Sequence, residues 1–229
     1  MCGRYGSILE SWDEYARHLA GFTLAAGTPE SFKSYNVAPS QPVPAIRKTE
    51  SGIEGCMLRW GLVPFFAKGV PTKYSTINGR IETIATSPAY RGPWKRGQRC
   101  ILPASGFYEW HVNDDGTKTP FYIHCADQDI FCFAGLWDRS HSDEGKTIES
   151  CTIITMGANP LMAEIHNAKA RMPAILARDD LEVWLRGTHD EAMKVLRQYP
   201  ADLMVAYRVS SKVNSPKNNE PALIAPIST

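Results

Sequence analysis

At 229 residues, with 43% hydrophobic and 21% charged positions and six Trp, eight Phe and nine Tyr as core anchors, the chain has the means to bury a core unaided. That composition excludes disorder and low complexity. No run approaches the roughly 18 apolar residues of a spanning helix, and Arg4, Glu10, Asp13, Glu14 and Arg17 interrupt any apolar secretion signal, so the expected address is the cytoplasm. The net charge of +1 speaks against a nucleic-acid partner only until its distribution is considered.

In chain order, Ser11 and Glu14 make a capping-box pattern before Trp12, Tyr15, Ala16 and Leu19 at helical spacing, with Gly21 as the stop. Residues 57–99 follow with eight basic side chains (Arg59, Lys68, Lys73, Arg80, Arg91, Lys95, Arg96, Arg99) against the single acid Glu82, a net +7 that leaves −6 elsewhere. A charge run is ordinarily a solvated face. Here Trp60, Phe65, Phe66, Tyr74, Tyr90 and Trp94 are interleaved with it, a mixture suited to a phosphate backbone with unpaired, stackable bases, which turns the expectation towards single-stranded nucleic acid.

Strands are expected at Phe107–Val112, Thr119–Cys125, Ile130–Trp137 and Thr147–Met156, joined by turns at Asn113–Gly116, Ala126–Asp129 and Glu144-Gly145. Several are apolar on both faces, which suits a closed or two-layered sheet. Near the end, Asp179 with Glu182 opens a helix over Leu181–Arg186 that Gly187 stops, and Thr188 with Glu191 opens another that closes before Pro200. The segment Asn214–Asn219 is expected to be mobile. With no repeat and no biased linker, the chain is expected to be one α+β domain over 1–229, a mostly antiparallel sheet core with peripheral helices.

Dinucleotide, P-loop, zincin and nucleophile-elbow motifs are absent, so neither a metal nor a diffusible cofactor is called for. Cys56, Cys100, Cys125, Cys132 and Cys151 lie singly in apolar runs, as small reduced core residues do. Cys2 differs. Loss of Met1 ahead of so small a residue would leave an α-amine, of reference pKa about 7.7–8.0, beside a thiol of about 8.5. Such a 1,2-aminothiol condenses with an aldehyde, the amine giving a Schiff base and the tethered thiol closing a thiazolidine. The same pair also serves an N-terminal-nucleophile amidohydrolase, and the bland alternative is an incidental Cys2. Either chemistry needs proton carriers. Glu109, set among Phe107, Tyr108 and Trp110, has surroundings that raise a carboxyl pKa unless strand alternation turns it to solvent, and His166 is either a second carrier or a structural imidazole.

Seven ordered segments together resemble the SOS response-associated peptidase family, whose members process abasic sites in single-stranded DNA. They are Met1–Tyr5, Tyr35–Pro39, Arg59–Pro64, Asn78–Thr83, Arg99–Trp110, Ala134–Trp137, and Ile165-His166 with Arg171–Pro173. The resemblance implies that Cys2 bonds to the ring-opened sugar aldehyde through a thiazolidine and so shields the strand in the damage response, with lyase-type or self-processing peptidase activity beside it. It implies that Asn78 positions the Cys2 amine and the sugar, that Glu109 exchanges protons and that His166 assists. Arg4, Arg80 and Arg171 would hold phosphates flanking the lesion, and Trp110, Phe65 and Phe66 would support neighbouring bases. The implied partner is single-stranded DNA with abasic sites; no protein partner is evident. A peptidase and a non-covalent reader of unpaired DNA are the alternatives. Two features depart from the family pattern: Phe65-Phe66 stands where Ser-Trp is common, and His166 precedes Arg171 by five residues rather than two, so the intervening loop either bulges or displaces the imidazole.

Overall fold

Turn residues cut the chain into short strands, and a computed structural model describing residues 2–227 shows how they pair. The strands are β1 (Arg4–Leu9), β2 (Phe22–Leu24), β3 (Phe32–Val37), β4 (Pro42–Thr49), β5 (Gly52–Trp60), β6 (Asn78–Arg80) and β7 (Arg99–Ala104). There follow β8 (Gly106–Val112), β9 (Lys118–Cys125), β10 (Phe131–His141), β11 (Thr147–Gly157), β12 (Arg171–Pro173), β13 (Ile175–Leu176) and β14 (Met204–Arg208).

One sheet is antiparallel throughout, in the order β14-β9-β8-β1-β3. The other runs β12-β11-β10-β7-β4-β5-β2. In it β11 also pairs with β5 in parallel, Ser150 beside Arg59 and Cys151 beside Trp60, which closes β11-β10-β7-β4-β5 into a ring. A closed ring has an inner face and an outer face packed on other elements, and this explains why β7 is buried at all six positions. The first sheet lies against the ring through Tyr5, whose ring meets Trp60 and Phe133 edge-on at centroid distances of 5.2 and 5.7 Å. The single domain is thus α+β, mostly strands, as the sequence predicts.

The helices are short: α1 (Asp13–Ala16), α2 (Arg91–Lys95), α3 (Pro160–Ile165), α4 (Leu181–Arg186) and α5 (His189–Val195). None of the helices among the described residues is long and apolar enough to cross a membrane. The Thr188–Glu191 capping box forms as expected. The one expected at Ser11 and Glu14 does not: Ser11 Oγ accepts from Asp13 N instead, Glu14 is drawn to Arg178, and the helix stops after four residues. Asp179 likewise does not cap α4. It lies in a 3₁₀ turn over Arg178–Asp180, while Glu182 accepts from the backbone of Ala20 at 2.9 Å.

β10 runs four residues beyond its expected end because Arg139 pairs with Glu149 across the β10–β11 ladder. The segment 214–219, expected to be mobile, is tied down: Asn36 Nδ2 donates to the carbonyls of Ser215 and Asn218, and Asn219 Oδ1 accepts from Tyr35 N at 2.7 Å.

Candidate active site

Register brings the first residues to the middle of the first sheet. Arg4 stands opposite Tyr108 in the antiparallel β1–β8 pair, so the chain ahead of Arg4 runs beside Glu109 and Trp110. Cys2 is fully buried there, its Sγ 3.7 Å from the Arg4 carbonyl. Burial, and secondly the Glu109 charge, push the thiol pKa far up. The sulfur is therefore held as a neutral thiol, and any attack by it needs a base alongside.

β6 supplies the second wall. It lies parallel to β11 with Asn78 beside Ile153, and Asn78 Nδ2 donates to the Cys2 carbonyl at 2.8 Å. The Asn78 carbonyl accepts from Tyr90 Oη at 2.9 Å, a brace that separates Tyr90 from the exposed aromatics with which it was grouped. Asn78 Oδ1 is buried without a hydrogen-bond partner among the described residues, an acceptor left over inside the site.

Glu109 and His166 form the third wall. Glu109 faces inward, 3% exposed, and burial raises its pKa to about 7, with nearby positive charge and the Trp110 backbone N–H pulling the other way. Its Oε1 lies 3.7 Å from His166 Nδ1. Asn159 caps α3 by accepting from Met162 N, and His166 is the residue at which that helix ends. Residues 166–170 then form a tight turn, closed by Ala170 N donating to the His166 carbonyl at 2.8 Å with Ala170 in the left-handed region (φ 47°). Asn167 docks this turn on the end of β8 through two hydrogen bonds to Val112. The five-residue spacing to Arg171 is thus a compact turn that keeps the imidazole beside Glu109. His166 Nδ1 donates to the Arg171 carbonyl at 2.9 Å, which leaves Nε2 as the basic nitrogen, and burial lowers the imidazole pKa so that it is neutral at pH 7.

The residues linked to DNA by resemblance are placed less uniformly. Arg80 is exposed at the end of β6. Arg171 is buried, with Nη1 and Nη2 on the two oxygens of Glu82 and Nη2 also on the Thr155 carbonyl. Arg4 donates to Asn36 Oδ1 at 2.8 Å and to the carbonyls of Val213 and Asn214, so a phosphate would have to displace these acceptors. Trp110 is half-buried with Nε1 on Asn214 Oδ1.

Phe65 and Phe66 stand out at 56% and 49% exposure, edge to face, with the Arg96 guanidinium 5.2 Å from the Phe65 ring centre. Of the other interleaved aromatics only Tyr74 is exposed, while Trp60, Tyr90 and Trp94 are core. Arg99, counted with the basic run, donates to the Trp184 and Gly187 carbonyls. Sequence reasoning missed the pairing of Glu82 with Arg171. Its one available signal was that Glu82 is the lone acid of the basic run.

Fold and site together define a strand-rich α+β protein in which Cys2 is buried beside a carboxamide and a carboxyl group, the latter lying against an imidazole. The sequence profile of the SOS response associated peptidase (SRAP) family matches residues 1–216, and the chain belongs to that family. It is 41% identical to the abasic site processing protein YoqW of Bacillus subtilis over 98% of this chain and 99% of that one. With the abasic site processing protein HMCES of Gallus gallus it shares 35% identity over 85% of this chain and 66% of that one. A crystal structure of a Bacteroides thetaiotaomicron protein superposes with a TM-score of 0.84 at 28% identity, covering 99% of this chain and all of the other.

Proposed function

We propose that the protein processes abasic sites in single-stranded DNA by bonding Cys2 to the ring-opened sugar once Met1 has been removed. The observation that carries this reading is a buried Cys2 with Asn78 on its carbonyl and the Glu109 carboxyl beside its thiol, Glu109 in turn lying against His166. The names of the curated relatives support the substrate. The amine adds to the sugar's C1 aldehyde carbon and the adduct loses one water as an iminium. Sγ then bonds to the same carbon, the C=N electron pair returns to nitrogen, which keeps its one proton, and the thiol proton goes to the Glu109 carboxylate, closing a neutral thiazolidine.

Each enclosing group has a task in that sequence. Asn78 holds the Cys2 carbonyl, and its leftover Oδ1 accepts from the amine or a sugar hydroxyl. Glu109, near pKa 7, gives a proton to the departing water and takes one from the neutral thiol. His166, uncharged with Nδ1 engaged, assists through Nε2. Exposed Arg80 contacts phosphate, while Phe65 and Phe66 offer faces to neighbouring bases.

An oligonucleotide containing uracil, pretreated with uracil glycosylase, tests this. A protein–DNA band that survives denaturing electrophoresis is expected from the wild type and none from Cys2→Ala. Equal crosslinking by the alanine variant would overturn the reading. A purely non-covalent reader would bind reversibly, with or without that substitution.

A further inference from the structure

Beside the site runs a ladder of charge, Arg171–Glu82–Arg80. The Glu82 carboxylate accepts from both terminal nitrogens of Arg171, at 2.5 and 3.1 Å, and Arg80 Nε stands 3.6 Å from its Oε2. Arg171 is fixed from behind by the Thr155 carbonyl at 2.7 Å. The backbone supports the same arrangement, because Thr155 of β11 pairs with Arg80 of β6 on one side and with Pro173 of β12 on the other.

Both ends of the ladder reach the groups around Cys2. Arg80 lies two residues beyond Asn78 on β6, on the same face and roughly 7 Å along it. The Arg171 carbonyl holds His166 Nδ1. A carboxylate placed here opposes phosphate binding, since it offsets charge on Arg171 and on Arg80, the latter in the most basic stretch of the chain. Raw affinity would be better served without it. What it supplies is geometry: a two-bond fork fixes a guanidinium plane in a way that a solvated arginine lacks.

We propose that Glu82 is a positioning residue which holds the Arg80 and Arg171 guanidinium groups in one arrangement, so that the DNA backbone is gripped in a single register with the lesion sugar against Cys2. This rests on the function proposed above and adds to it a residue that trades affinity for register.

The register can be read without the covalent step. Hydroxyl-radical footprinting on a single strand carrying one tetrahydrofuran abasic analogue, which cannot open to an aldehyde, would compare wild type, Glu82→Gln and Glu82→Asp. The wild type is expected to protect one window centred on the analogue. Glu82→Gln is expected to bind the strand as tightly or up to about ten-fold tighter, because a negative charge has left the phosphate path, yet to spread protection over neighbouring nucleotides. Glu82→Asp, which keeps the charge, should recover part of the sharpness.

On a true abasic strand at saturation, crosslinking by Glu82→Gln should be slowed about ten-fold or more. An equally sharp window with Glu82→Gln, or affinity and crosslinking rate falling in parallel, would overturn the inference. Should Glu82→Gln fail to fold, Glu82→Asp decides by the same readings: a broadened window at unchanged affinity supports the proposal and a wild-type window overturns it. Absence of any wild-type crosslink would count against the covalent reading alone, since the footprint does not depend on it.

Discussion

Glu109 shares its strand with Phe107, Tyr108 and Trp110, and with its carboxyl near pKa 7 both protonation states are available at neutral pH. Glu109→Gln, which retains the shape and loses the proton exchange, is expected to slow crosslinking about 100-fold or more and to flatten its pH profile around 7. The same shift has a signature in stability. Below the ordinary value of 4.5 the group is protonated in both folded and unfolded chains, and the folded state's full stability is present. As pH rises from there through about 7, the unfolded chain releases the proton first and stability is lost, by up to roughly 3 kcal/mol for this one group. Denaturant unfolding at pH 5 and pH 8 should therefore show the difference between wild type and Glu109→Gln moving in favour of the variant at the higher pH; a constant difference would contradict the raised pKa. Glu109 was legible in sequence because its aromatic neighbours are adjacent in the chain. The Glu82–Arg171 pair was not, because its partners are 89 positions apart and only the fold brings them together.

Among the elements, β8 carries Glu109 and is positioned by a close approach at Gly106, where a Cβ would lie 2.2 Å from Cζ of Tyr122 on β9. Gly106→Ala must displace the buried Tyr122 ring or shift β8 against it. It is expected to cost at least about 1–3 kcal/mol in denaturant unfolding and to reduce crosslinking, because Glu109 moves with the strand. The cap of α5 offers the opposite case. Thr188→Ala removes the capping box and should cost about 1 kcal/mol while leaving crosslinking unchanged. Loss of crosslinking in that variant would mean that the helix is coupled to the site. These elements also show where sequence patterns succeed. The Thr188–Glu191 box was legible because both partners lie within one turn. The similar pattern at Ser11 and Glu14 misled because Glu14 has a stronger partner in Arg178, supplied from the far end of the chain. The four central strands were legible to within a few residues from their turns, whereas the ring closed by β11 on β5 joins segments about ninety residues apart and has no local signal.

Over the whole molecule, folding divides the basic, aromatic stretch into two parts. Trp60, Tyr90 and Trp94 build the core and Arg99 braces α4, while Phe65, Phe66, Tyr74, Lys73, Arg80, Arg91 and Lys95 remain exposed. Composition alone does not make this division, because the buried and exposed members have the same chemistry. With three or four of the exposed cations on phosphates, binding to intact single strands should weaken with salt, with a log–log slope of about −2 to −3. A slope near zero would remove the electrostatic part of the account.

The central claim, that nitrogen and sulfur of one residue capture the damaged sugar, is tested most directly by mass spectrometry of the N-terminal peptide from purified crosslinked complex. The expected peptide lacks Met1, begins at Cys2 and carries the sugar remnant on that residue alone. A peptide that retains Met1 in the crosslinked material, or a remnant on a lysine, would contradict it.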